Sequence, residues 1–142
     1  MRLSLFDRIS IGAFNFSQLT LPLLLSAAAA NPKHSPTLLF TGATASLRSG
    51  ALLSSFAAPK FALRALAQSL AREFGPQGVH VSHVIVDGII DTPKTREWAV
   101  DDGRPDSKLS PEAIADSYWA LHEQRRTCWT HELDVRPWTE KW

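Results

Sequence analysis

Apolar residues recur along the chain at spacings that predict alternating helices and strands. Leucines at every third or fourth position predict a helix over residues 56–74. Alternating, β-branched residues predict a strand over 79–86, and a continuous apolar run predicts a strand over 37–41 that is covered on both faces. The remaining predicted elements are a helix over 110–124, opened by a Ser-Pro pair, and a last strand over 128–134.

The N-terminal segment fits two patterns. An amphipathic helix would place one set of residues in a buried stripe: Leu5, Ile9, Gly12, Ala13, Phe16, Leu19 and Thr20. Alternatively, the apolar run 19–30 follows two arginines and could form the core of a signal peptide. Polar residues interrupt the preceding segment, and the run itself is too short to span a bilayer. We therefore favour the amphipathic helix and a protein without a membrane partner.

The order of these elements predicts an α/β fold. Helices alternate with strands through short connections, which is typical of a parallel sheet with right-handed crossovers. The 142 residues are enough for one compact core and too few for two domains of average size. We therefore predict a single domain over residues 1–142.

Charge and cysteine content exclude several classes of function. The net charge of +1 rules out strong non-specific binding to nucleic acid. The single cysteine, Cys128, cannot form an internal disulfide, which predicts a reducing compartment such as the cytoplasm. No Cys/His cluster has zinc-ligand spacing, and His80 and His83 would face opposite sides of a strand. No metal site is predicted.

A glycine follows the first predicted strand, at the start of the segment 41–48. A turn that cradles a dinucleotide diphosphate needs further glycines where the backbone approaches phosphate, but Ser46 and Arg48 occupy the later positions. We interpret the segment as an ordinary turn after a strand.

Four blocks of sequence together resemble the short-chain dehydrogenase/reductase family. They cover residues 38–46, 56–73, 78–84 and 87–92, in the order and spacing of the family's later half. The resemblance extends over most of residues 9–134. It implies a truncated Rossmann-like parallel sheet flanked by helices, and an NAD(P)-dependent oxidoreductase that acts on a small-molecule substrate.

The resemblance also shows which family residues are replaced. The family's catalytic tyrosine falls on Phe56 and its serine on Ala43, with Thr41 and Thr44 as imperfect stand-ins, whereas its lysine is retained as Lys60. The helix asparagine of the family falls near residue 9, and the Gly-rich nucleotide-binding half has no counterpart in residues 1–8. The resemblance implies weak or absent binding of NADPH.

Besides Lys60, three further residues are candidate site residues: Ile90, Thr92 and Asp87. Lys60, Ile90 and Thr92 would lie at the nicotinamide end of an NAD(P) cofactor. Asp87 stands where the family's loop lines the active site, and a carboxylate beside Lys60 could run acid–base chemistry without hydride transfer. The competing interpretation, which we favour, is that Asp87 opens a solvated Asp-Gly turn.

Three functions therefore remain open: a divergent oxidoreductase, a non-redox lyase, isomerase or cyclase on the same scaffold, and a catalytically inactive module. The resemblance implies a homodimer through the helices over 3–30 and 56–74. An unprotected apolar sheet edge also favours self-association.

Overall fold

The computed structural model describes residues 4–141. A π-helical turn over Asp7–Ile11 leads into helix α1 (Gly12–Ala29), and the remaining regular elements alternate: β1 (Thr37–Ala43), α2 (Ser54–Phe74), β2 (His80–Val86), α3 (Pro111–His122) and β3 (Glu132–Val135). Within this range the strands form a parallel sheet in the order β1-β2-β3. The prediction of an α/β fold with a parallel sheet flanked by helices is confirmed.

Apolar residues cover the sheet on both faces. On one face, Leu38, Phe40 and Val81 pack with residues of α1 and α2, and Leu63 and Leu70 are among the buried members of α2. On the other face, a second cluster joins the end of β2 to α3 and the loop before it; its buried members are Val84, Val86, Leu109 and Leu121. Strand β2 is buried at every position, as expected for the central strand of a covered sheet.

The face that the N-terminal helix buries differs from the predicted stripe. Phe16 and Leu19 are 58% and 77% exposed, whereas Ser17, Leu21 and Ala28 are buried. Ile9 and Ala13 of the predicted stripe do pack against the core. The prediction was therefore wrong for Phe16, Leu19 and also Leu5, which is 45% exposed, because the contacts with β1 and α2, rather than the average hydropathy, decide which face is covered.

The N-terminal helix is also longer than the apolar run on which the membrane argument rested. By length and composition alone, the helical segment Asp7–Ala29 could cross a membrane, a property that core helices and signal sequences share. The absence of a membrane partner therefore stays a prediction.

The C-terminal elements confirm one boundary and move another. Ser110 accepts a hydrogen bond from the Ala113 amide (3.2 Å) and Pro111 is the first residue of α3, as predicted for a Ser-Pro helix start. The last strand covers Glu132–Val135 instead of residues 128–134. The register explains the shift, since His83 of β2 pairs with Glu132 and Val86 with Val135.

Candidate active site

Lys60 lies near the carboxyl end of β1, on the second turn of α2. Its ammonium donates a hydrogen bond to the carbonyl oxygen of Thr41 (2.8 Å) and lies 5.7 Å from the centroid of the Phe56 ring. Burial lowers the pKa of the Lys60 ammonium below its ordinary value. The four-residue spacing on one helix brings Phe56 and Lys60 together, as the sequence motif implied.

The two threonines that could stand in for a missing serine hydroxyl are both engaged elsewhere. The Thr41 hydroxyl lies 2.7 Å from the Tyr118 hydroxyl of α3, and Thr44 donates to the carboxylate of Asp87. Burial raises the pKa of Tyr118, and the hydrogen bond with Thr41 opposes that shift. The Phe56 side chain has no hydroxyl, so neither it nor the threonines place an uncommitted proton donor beside Lys60.

Asp87 is buried, with 4% of its surface exposed. Its carboxylate accepts the Thr44 hydroxyl and lies 3.4 Å from a guanidinium nitrogen of Arg136. The prediction of a solvated Asp-Gly turn was therefore wrong. The pairing of Asp87 with Lys60 does not form either, because Lys60 contacts Thr41 and Phe56 and the two side chains share no ion pair among the described residues.

The other two predicted cofactor residues lie in the loop after β2. Ile90 forms an isolated parallel bridge with Leu109, which fixes the start of the loop. The amide of Thr92 donates to the Thr95 hydroxyl, and the two threonine hydroxyls are 2.9 Å apart. The polar atoms of Thr92 thus close a local turn with Thr95.

The residues present do not fit a diphosphate at the end of β1. Residues 44–46 form a short 3₁₀ helix, and the buried Ser46 hydroxyl accepts a hydrogen bond from the Ala43 amide (3.1 Å). That amide is therefore used inside the protein, whereas a diphosphate cradle needs several backbone amides that point to the ligand.

An ion network around the buried His83 was not anticipated from the sequence. His83 is fully buried and its Nδ1 lies 3.0 Å from Glu132, which also accepts two hydrogen bonds from Arg64 (2.6 and 2.8 Å). Burial lowers the pKa of His83, and the hydrogen bond with Arg64 holds the pKa of Glu132 below its ordinary value. The partners are distant in sequence, so no local motif signals the network.

The predicted separation of the two histidines is confirmed. His83 lies on the α2 side of the sheet, next to Gly42, whereas His80 stacks on Trp129 at 4.8 Å and its Nε2 lies 2.9 Å from the Thr130 carbonyl. Within residues 4–141, no cluster of three or more His, Cys, Asp or Glu side chains is arranged to hold a metal ion.

Comparison with known proteins identifies the scaffold. The short chain dehydrogenase family model matches residues 4–103. A short-chain dehydrogenase from Rhodopseudomonas palustris is 33% identical, with a TM-score of 0.71 over 94% of this chain and 50% of that structure. None of the curated proteins matches the chain significantly.

Two more distant structures share the fold. A serine dehydrogenase complexed with NADP+ is 17% identical, with a TM-score of 0.78 over 96% of this chain and 56% of its own. An alcohol dehydrogenase from Thermococcus sibiricus, complexed with 5-hydroxy-NADP, is 19% identical, with a TM-score of 0.74 and coverages of 96% and 53%. The chain spans about half the length of the structures that it matches. It belongs to the short chain dehydrogenase family and carries part of that family's oxidoreductase scaffold.

Proposed function

We propose that this chain is an NAD(P)-linked oxidoreductase scaffold whose catalytic centre is degenerate, so that it does not reduce carbonyl substrates on its own. The observation that carries the proposal is the Phe56 ring beside the Lys60 ammonium. A positioned proton donor contributes roughly 10²–10⁴ to the rate of such reactions, and phenylalanine supplies none. The family's lysine is present as Lys60, but the tyrosine hydroxyl whose pKa it would lower is absent at Phe56.

Restoring the hydroxyl tests whether Lys60 is poised for that role. In the Phe56→Tyr variant, the new phenol would lie close to the Lys60 ammonium, whose positive charge favours the phenolate. We expect ultraviolet absorbance titration to give a lower pKa for this phenol than in a Phe56→Tyr, Lys60→Met double variant. Equal phenol pKa values in the two variants would show that the charge of Lys60 does not affect the ionisation of a phenol at position 56.

Cofactor binding is proposed to be weak. Lys60, Ile90 and Thr92 would be the contacts at the nicotinamide end, but the amide at Ala43 is already bound by Ser46 and provides no diphosphate donor. Calorimetric titration of the purified chain with NADPH should therefore show no binding, or a dissociation constant well above micromolar. A low-micromolar dissociation constant would contradict the proposal.

The non-redox alternative is less well supported. It needs a carboxylate at Asp87 that is free to exchange protons with a small-molecule substrate, whereas this carboxylate is buried and bound to Thr44 and Arg136. A turnover assay that responds to Asp87→Asn while the free energy of unfolding does not change would favour this alternative over the one we propose.

We also propose a homodimer through α1 and α2. A groove of about 270 Å³ runs between the helices, with Ile11, Phe14 and Leu66 among its lining residues, and Phe14 and Phe61 are 49% and 43% exposed. Burying these rings in a second copy removes apolar surface from water. A cytoplasmic location, which we propose from the single cysteine, is compatible with this assembly and is tested by cell fractionation.

Light scattering at micromolar concentration tests the dimer. The Phe14→Glu variant should be a monomer, because a carboxylate would be buried in the interface. The control is Leu52→Glu, since Leu52 is fully exposed in the loop before α2 and should not affect the assembly. A wild-type chain that stays monomeric, or a dimer that Phe14→Glu leaves intact, would argue against this interface.

A further inference from the structure

A polar cavity of about 490 Å³, which we call the amino-end cavity, lies at the amino end of the sheet. Two loops line it: residues 31–35, which lead from α1 into β1, and residues 123–126, which follow α3. The candidate active site lies at the other end of β1, where Lys60 contacts Thr41. Because a strand rises about 3.3 Å per residue, Thr37 at the start of β1 is already about 13 Å from Thr41. The amino-end cavity is therefore separate from that site.

The amino-end cavity carries more positive than negative charge. Lys33, Arg125 and Arg126 line it together with a single carboxylate, that of Glu123, which leaves an excess of two positive charges. None of the three cations forms an ion pair with another residue of the described range 4–141. Uncompensated charge of one sign in a concave surface raises the local concentration of ions of the other sign. The cavity should therefore attract anions.

The guanidinium of Arg126 is held in one orientation by contacts with the protein. Its Nε donates a hydrogen bond to the hydroxyl oxygen of Ser35 (3.0 Å), and Ser35 is only 4% exposed. The guanidinium also lies over Gly78, where an added Cβ would be 3.7 Å from one of its terminal nitrogens. These terminal nitrogens make no hydrogen bond with a described residue. Arg126 thus presents oriented donors that a ligand can take.

The loops that carry the cations have a backbone geometry fixed within the protein. The side-chain amide of Gln124 accepts a hydrogen bond from the Thr130 amide (2.7 Å) and donates one to the Thr130 hydroxyl (2.8 Å), which closes the loop after α3. After α1, Asn31 adopts a left-handed conformation with a φ of 50°, and its amide donates to the Ala28 carbonyl (3.0 Å). A site on fixed loops loses less conformational entropy when a ligand binds.

We propose that the amino-end cavity binds the phosphate group of a small phosphorylated organic molecule. A phosphate monoester carries a charge of about −1.5 to −2 at pH 7, which matches the positive excess of the cavity better than the single charge of a carboxylate does. The planar N–H fork of arginine also fits phosphate oxygens. The volume lies within the roughly 300–1,000 Å³ of small-molecule sites and leaves room for an organic group beside the phosphate. The proposal does not depend on the proposed function.

Calorimetric titration of the full chain with glycerol 3-phosphate, at constant ionic strength, tests the proposal. We expect saturable binding in the millimolar range or tighter, and no binding of glycerol, which lacks the charged group. Absence of saturable binding of glycerol 3-phosphate would overturn the proposal. Inorganic phosphate distinguishes the ester from the free ion: if it binds at least tenfold more tightly than glycerol 3-phosphate, the cavity is a site for the free ion and the proposed organic ligand is wrong.

Substitutions of arginine locate the binding. Arg125→Leu and Arg126→Leu should each raise the dissociation constant by at least about tenfold, the ratio expected for loss of one charge-assisted hydrogen bond. The side chain of Arg125 has no hydrogen-bond partner among the described residues, so its loss leaves no group unpaired. Arg48→Leu is the matched control, because it removes the same charge from an exposed position after the other end of β1. It should change the dissociation constant by less than about twofold, since a distant exposed charge is screened. An equal loss in all three variants would overturn the proposal.

Replacement of Ser35 separates a built site from general attraction by positive charge. Ser35→Ala keeps every charge of the cavity but removes the acceptor that orients Arg126. We expect at least a threefold rise in the dissociation constant for glycerol 3-phosphate, an unchanged circular dichroism spectrum, and no further effect of Ser35→Ala in the Arg126→Leu background. Wild-type affinity in Ser35→Ala, or the same loss with and without Arg126, would show that Ser35 does not position Arg126 for a ligand and would overturn the built site.

Discussion

Replacement of Gly42 by alanine adds only one methyl group, but it should destabilise this protein strongly. An alanine Cβ at this position would lie 2.3 Å from Nε2 and 2.5 Å from Cε1 of His83, and 3.0 Å from the Ser46 hydroxyl. The imidazole cannot turn away freely, because it is fully buried and its Nδ1 lies 3.0 Å from Glu132. Steric overlap of this kind costs about 1–3 kcal/mol, and the rigid surroundings favour the upper end.

Urea denaturation and thermal melting would measure the effect. For a chain of this length, 1 kcal/mol corresponds to about 4 °C, so the melting temperature of Gly42→Ala should fall by roughly 8–12 °C. Gly12→Ala is the matched control, because its added Cβ would make only an ordinary van der Waals contact, 3.5 Å from the Asp7 carbonyl oxygen, and its φ of −59° is helical. That variant should be neutral or more stable by about 0.4–1 kcal/mol.

A double-mutant cycle identifies the cause of the loss. If His83 is the obstacle, Gly42→Ala should cost much less in a His83→Ala background, where the space beside residue 42 is open. Two results would refute the reasoning. One is a Gly42→Ala variant as stable as Gly12→Ala; the other is a cost for Gly42→Ala that is the same with and without His83.

Two further predictions concern buried titratable groups. Burial lowers the pKa of His80 and His83 below 6.5, so the unfolded chain binds more protons than the folded chain below that pH. The contribution of the two histidines to the free energy of unfolding should therefore be constant above about pH 7 and should fall as the pH drops, by at most about 1.4 kcal/mol per pH unit for each histidine; equal urea midpoints near pH 7.5 and pH 5.5 would contradict this. Asp87→Asn should cost about 1.5–3 kcal/mol in urea denaturation, because Thr44 and Arg136 lose a charged acceptor. Asp91→Asn, at an exposed ion pair 3.9 Å long, should cost less than about 0.5 kcal/mol, and equal costs for the two would show that burial of Asp87 is unimportant.

The elements that local sequence determines were predictable. Helix α2 begins at Ser54 and ends at Phe74, within two residues of the prediction, because its leucines follow the helical repeat up to a Gly-Pro stop. Strand β2 follows from β-branched alternation in the same way. The buried face of α1 was not predictable to the same degree, since Phe16 and Leu21 are both apolar and only the position of the sheet decides which of them is covered.

The candidate site was predictable only where one motif contains it. Phe56 and Lys60 are one helical turn apart, so their contact follows from the sequence. The environment of Asp87 depends on Arg136, which is 49 positions away and comes near only after β3 has paired with β2. An Asp-Gly pair is typical of an exposed turn, and nothing local distinguishes the buried case.

Lys60 also contacts the edge strand of the sheet. Its ammonium hydrogen-bonds the carbonyl of Thr41 on β1. A lysine in this position protects an open edge, because it occupies an acceptor and repels a further cation. The same ammonium lies beside residue 56, so the contact with the edge strand and the influence of Lys60 on a phenol at that position depend on one side chain.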